Sequence, residues 1–156
     1  MASIPSNFND LKDIESIFNL AAIGIARVDL DGSWLSVNQQ ICDILGYNEE
    51  ALYQQKFQSI THPEDLDLEL QLINEVIEGK RNTYSMAKRY ICKMDKLIWT
   101  NLTASLVKDE SGKPSYFIWI VENITWEKTV QAELRRDKNF FDRAINSSLA
   151  VTTHPL

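Results

Sequence analysis

The sequence predicts an α+β domain whose elements run helix, two strands, several short helices, three strands and a final helix. Three observations carry that order. Residues 96–128 (KLIWTNLTASLVKDESGKPSYFIWIVENITWEK) hold two strongly apolar strands joined by a polar turn and running straight into a helix. Asp31-Gly32 separates two short β-rich runs, a hairpin signal. Leu66, Leu70, Ile73 and Ile77 recur at i, i+4, i+7 and i+11 between Pro63 and Gly79, the stripe of an amphipathic helix.

A chain of 156 residues with 44% hydrophobic content can bury a full core, and its length suits one domain with short extensions. The formal charge of −6, with no Lys/Arg cluster, excludes a nucleic-acid surface. No apolar run is long enough to cross a bilayer, and Met1-Ala2-Ser3-Ile4-Pro5-Ser6 lacks the layout of a signal peptide. The expectation is a cytoplasmic protein without membrane contact. Cys42 and Cys92, the two cysteines, form neither a disulfide framework nor a CxxC pair, and both read as small packing residues.

Each element follows from its residues. Leu11, Ile14, Ile17 and Phe18 predict a short amphipathic helix over 8–20, after a tail at 1–9. Ile23–Leu30 and Trp34–Val37 flank Asp31-Gly32, which supplies the positive φ angles of a two-residue turn. Asn38 caps a helix that carries Ile41, Ile44 and Leu45 and stops at Gly46. Asn48 caps a second, shorter one led by Glu49 and Glu50. Pro63 opens the long helix, where its missing amide costs nothing, with His62 as a cap or turn residue beside it. Thr83–Lys93 reads as the third strand, with Tyr84, Met86, Tyr90 and Cys92 on one side and a turn at Met94-Asp95. In the fourth, Leu97, Trp99, Asn101 and Thr103 share one face and Ile98, Thr100, Leu102, Ala104 and Leu106 the other. Both faces are partly apolar, so helices should cover one and the amino-terminal helix or a second subunit the other.

The order of elements and several motifs together resemble a PAS domain. The motifs are Asn38–Tyr47 (NQQICDILGY), Ile60–Leu66 (ITHPEDL), Trp99, Asp109–Pro114 (DESGKP) and Val121–Thr125 (VENIT), spread over roughly residues 10–128. The resemblance implies a five-stranded antiparallel sheet cupping a ligand-sized interior beneath short helices, with the domain at 10–124 and a linker helix at 125–156. It also implies a signalling role, in a bacterial histidine kinase of a two-component system or in a diguanylate cyclase or phosphodiesterase. The chain would sense a small ligand or cofactor and relay the change through its last helix to an output domain elsewhere in the protein. The alternative is a ligandless module that sets the geometry of that output domain by homodimerising.

In that family the last strand usually ends in Asp-Ile-Thr, which anchors it to the outgoing helix. Here the relay positions are Asn123, Ile124 and Thr125, and asparagine caps a helix but forms no salt bridge. Capping alone would also explain these residues. Val130, Leu134, Phe141 and Ala144 fit a and d positions of a heptad, with Asp137 breaking the seam. Residues 140–156 resemble the start of a further sensory domain, so the chain reads as a piece of a longer protein.

For cofactors, a flavin-photosensing relative needs a reactive cysteine where this chain has Gln54-Gln55-Lys56-Phe57-Gln58, so a covalent photoadduct is not expected. A haem relative would present an axial histidine, but the histidines are His62 at a helix start and His154 in the tail, so haem is not expected either. Glu64, Asp65 and Asp67 favour a helix start rather than a metal. No catalytic triad, phosphate-cradling loop or HExxH motif is present, and no enzyme activity is expected of this stretch. The cofactor stays unassigned. Around the family's interior the reading places Ile25, Val37, Ile41, Leu45, Met86, Tyr90, Trp99, Phe117 and Trp119, with Tyr90, Trp99 and Asn101 as polar tips to orient a ligand. The aromatics either stack a flat ligand or fill the space themselves.

Overall fold

The computed structural model describes residues 11–152; residues 1–10 and 153–156, with the predicted tail at 1–9 and His154, lie outside the described residues. Two compact units divide at Asn123/Ile124. The first carries α1 (Leu11–Leu20), β1 (Gly24–Asp29), β2 (Trp34–Val37), α2 (Gln39–Leu45), α3 (Glu49–Tyr53), a 3₁₀ turn at Phe57–Ile60, α4 (Pro63–Ile77), β3 (Thr83–Ile91), β4 (Leu97–Lys108) and β5 (Pro114–Asn123). The second carries one helix, α5 (Thr125–Thr152).

The five strands form one antiparallel sheet in the order β2-β1-β5-β4-β3. Strand alternation decides its inner face. Along one row Tyr84 pairs with Ala104, Ala104 with Trp119, Trp119 with Ala26 and Ala26 with Val37. All five are buried, and they meet Ile41, Leu45, Leu52, Phe57, Ile60, Ile73 and Val76 from the helical layer in one core. Central β5 alternates buried Phe117, Trp119 and Val121 with exposed Ile118 and Ile120, which face away from the helices.

Local chemistry sets the boundaries. Gly46 ends α2 at φ 74, and Asn48 Oδ1 caps α3 by accepting from Ala51 N. His62 Nδ1 accepts from Glu64 N at 3.1 Å and caps α4. The first hairpin differs from the two-residue turn expected: Asp29 N donates to Ser33 O, which leaves Leu30, Asp31 and Gly32 in the loop. Of these only Gly32, at φ 98, takes a positive φ, and the register shifts between Arg27 and Val28; a three-residue loop closing on a left-handed glycine does this. Gly24 lets β1 approach α2 closely, since a Cβ there would lie 2.6 Å from Ile41 Cδ1 and push that side chain aside.

Asn38 ties the entrance of the fold together. Fully buried, its Oδ1 accepts from Ile25 N and Ile41 N, and its Nδ2 donates to Phe18 O and Ile23 O. One side chain thereby caps α2, fixes the start of β1 and takes up a carbonyl in the last turn of α1, which would otherwise need solvent.

Candidate functional site

The centre of the inner face is polar. By alternation Tyr84, Met86, Lys88 and Tyr90 of β3 all face inward, and Lys88 is fully buried. Its ammonium donates to Glu69 Oε1 of α4 and, at 3.0 Å, to Thr61 Oγ1. Three rings surround it: Nζ lies 4.3 Å from the Tyr90 centroid, 4.9 Å from Phe57 and 5.2 Å from Trp119. Glu69 is equally buried, and its second oxygen accepts from Tyr84 Oη at 3.1 Å. Thr61 is oriented by donating to Phe57 O at 2.8 Å.

A charge taken out of water must be paired and hydrogen-bonded, and this pair is both. Burial lowers the Lys88 pKa, with the Glu69 carboxylate opposing the shift. The Tyr84 hydroxyl is pushed far up, first by burial and then by the Glu69 charge it bonds. Burial does the same to Tyr90. Tyr90 Oη and Trp34 Nε1 are buried without a hydrogen-bond partner among the described residues. Trp119 packs edge-on against Trp34 at 5.6 Å and Phe57 at 4.9 Å, so these three rings form one row beside the ion pair.

β3 also grips α4 on its other side. Asp65 accepts from the Arg89 amide at 2.7 Å and from its guanidinium at 2.8 and 3.0 Å, and Glu64 adds a fourth contact at 3.0 Å. Burial works to raise the Asp65 carboxyl, but these hydrogen bonds overcome it and hold the group below its ordinary range. His62 N donates to Arg89 O, and Thr61 bridges to Tyr90. Residues 88–90 therefore fix both the start of α4 and the carboxylate one turn in.

Of the residues expected around the interior, Val37, Ile41, Leu45, Met86, Tyr90, Phe117 and Trp119 lie together in the core. Ile25, Trp99 and Asn101 do not; they alternate to the opposite face of the sheet. Ile25 pairs with Ile120 there, Trp99 lies under the Arg89 guanidinium at 5.0 Å, and Asn101 is exposed opposite Ala87 and Glu122. The inner residues of β1 and β4 are instead Gly24, Ala26 and Val28, and Ile98, Thr100, Leu102 and Ala104. A shift of one residue exchanges the two faces, and two partly apolar faces leave the choice open locally. The α4 stripe is likewise rotated: Glu69, Ile73 and Val76 are buried, and Leu66, Leu70 and Ile77 flank them half-buried.

Lys88 and Glu69 escaped the sequence reading. Their signals were present separately: Lys88 keeps step with Tyr84, Met86 and Tyr90, and Glu69 sits three after Leu66 and four before Ile73. Only their encounter across 19 residues makes a site. Cys42 and Cys92 are free, buried thiols raised by burial. Among the described residues no group of three or more His, Cys, Asp or Glu side chains is placed to hold a metal, and no helix is long and apolar enough to cross a membrane.

At the exit, Asn123 is the last residue of β5 and pairs with Thr100, whose Oγ1 donates to Lys88 O at 3.0 Å. In the second unit, Ile124 O accepts from Lys128 N and Thr125 O from Thr129 Oγ1.

Comparison with known proteins bears on all of this. A family model described as the PAS fold matches residues 35–121. The chain is 44% identical over 104 residues to the Probable diguanylate cyclase DgcE of Escherichia coli (strain K12), covering 67% of this chain and 9% of that protein. It is 26% identical over 122 residues to the Sensor histidine kinase TmoS of Ectopseudomonas mendocina, covering 78% of this chain and 12% of that protein. The chain thus spans about a tenth of the length of these curated relatives. Its fold is similar to the crystal structure of the PAS domain of a protein from Colwellia psychrerythraea, with a TM-score of 0.67 at 19% identity, covering 74% of this chain and 97% of that one.

Proposed function

The chain belongs to the PAS fold family, a sensory and non-catalytic fold, and from that premise we propose that it senses a small ligand in its interior and relays the change through α5. The output domain lies elsewhere in the same protein, a diguanylate cyclase or a histidine kinase as in the relatives it resembles. The working site is cytoplasmic.

The observation that carries this reading is the buried Lys88–Glu69 pair. Replacing such a pair by apolar residues of similar volume is often neutral or stabilising, so a pair of this kind is a poor staple and a good switch. It also has a route out. Lys88 is tied through Thr100 to the strand register that ends at Asn123. A ligand that binds one arrangement of the pair better than the other would shift that register and, with it, the base of α5.

A second reading keeps the signalling role without a ligand. Trp119, Tyr84, Tyr90, Phe57 and Phe117 already fill the interior, while Ile118 and Ile120 on the outer face and Ile14, Ile17 and Leu20 on α1 are exposed and suit a second copy of the chain. Native mass spectrometry of the purified protein against its denatured mass tests the two. An added mass lost on denaturation establishes the ligand, whereas a dimer without added mass favours the ligandless module. The relay is tested separately by Asn123→Ala in the full-length protein, which should alter output more than stability; lost stability with unchanged output removes Asn123 from the relay.

A further inference from the structure

The groups around the Lys88 ammonium come from parts of the chain other than its own side chain. Phe57 belongs to the 3₁₀ turn, Thr61 to the loop after it, Glu69 to α4, Trp119 to β5, and Tyr90 lies two residues along β3. They are also fixed without Lys88: Glu69 is held by Tyr84 Oη, Thr61 by Phe57 O, and Trp119 by its edge-on packing with Trp34 and Phe57. A buried carboxylate, a hydroxyl oxygen and three aromatic rings facing one point are what recognises an ammonium group: counter-charge, hydrogen-bond acceptors and ring quadrupoles. We propose that the interior is an alkylammonium-binding site which the chain fills with its own Lys88, a ligand tethered in place. The inference goes beyond the proposed function: with Lys88 seated there, a diffusible ligand sensed in the interior binds beside the ion pair or displaces the Lys88 ammonium from it.

The tether can be cut. Lys88→Ala removes three methylenes and the ammonium, the atoms of n-propylammonium. Adding n-propylammonium chloride to this variant should raise its melting temperature with the logarithm of its concentration above Kd, a 100-fold excess over Kd shifting the folding equilibrium about 100-fold. Neither 1-propanol, of equal size but uncharged, nor tetramethylammonium, charged but without N–H donors, should do so, and the wild type should not respond because its site is occupied. Equal stabilisation by 1-propanol would reduce the site to an apolar void. Equal stabilisation by tetramethylammonium would show that the rings and counter-charge bind any cation and that the oxygen acceptors do not select an N–H ammonium, refuting an alkylammonium site. No stabilisation of a folded Lys88→Ala protein by any of the three would overturn the proposal outright.

Should the variant fail to fold, the wild type decides. A caged Lys88 gives an NH₃⁺ signal in nitrogen-correlated NMR that exchanges slowly with water and is moved upfield by the three rings. An ammonium signal from Lys88 in fast exchange, or none, refutes the cage.

Discussion

Removing Glu69 alone should cost more than removing the whole ion pair. In Glu69→Leu the Lys88 ammonium stays buried with Thr61 as its one remaining oxygen partner, and Tyr84 Oη loses its acceptor. An uncompensated buried charge costs about 3–5 kcal/mol, and an orphaned hydroxyl adds about 1 kcal/mol or more. For a domain near 110 residues that is a fall in melting temperature of roughly 15 °C or more. In Lys88→Met/Glu69→Leu both charges are gone, the volumes are nearly kept, and only Tyr84 Oη is left unpaired. The double variant should therefore lie within about 2 kcal/mol of the wild type. Thermal and urea unfolding followed by circular dichroism, on the wild type, both single variants and the double variant, closes the cycle. A coupling energy below about 0.5 kcal/mol, or a double variant as unstable as Glu69→Leu, would sink the argument that the pair is tightly coupled in the interior. Assayed in the full-length protein, the double variant should be folded yet blunted in output.

Asn38→Asp keeps the Oδ1 cap of α2 but exchanges two donors for an acceptor facing Phe18 O and Ile23 O, so hydrogen exchange should quicken across α1 while α2 stays protected. Unchanged protection of α1 would show that Asn38 does not hold it. Asp65 is held below its ordinary 3.8, so its contribution is full above that value and is lost as pH falls through the lowered one. Arg89→Ala, which removes the guanidinium hydrogen bonds to this carboxylate, should cost about 1–3 kcal/mol at pH 7. The gap from wild type should narrow only below pH 3.8, and a gap constant down to pH 2 would show that Asp65 is not the partner that matters.

What the sequence determined by itself is local. Asn38, Asn48, His62 and Pro63 mark helix starts because a cap or a first turn is satisfied within a few residues, and Gly46 marks a stop because φ 74 is strained for other residues. Alternation in β3 and β4 gave strands with the right partition into two faces, and the motif order gave the family. Which face of β1 and β4 turns inward was decided only by the assembled sheet, because Ile25 and Trp99 are as apolar as Ala26 and Ile98, and local pattern cannot rank two apolar faces. Inward-facing Trp119 and Tyr84 leave room beside them only for small residues, Ala26 on β1 and Ala104 on β4, whose backbone neighbours Ile25 and Thr103 then turn outward. Tertiary structure alone also decided that Lys88 and Glu69 are buried. Each is a charge on the apolar side of its own element, unfavourable taken singly, and becomes admissible when α4 lies across β3 and each supplies the counter-charge the other lost with water.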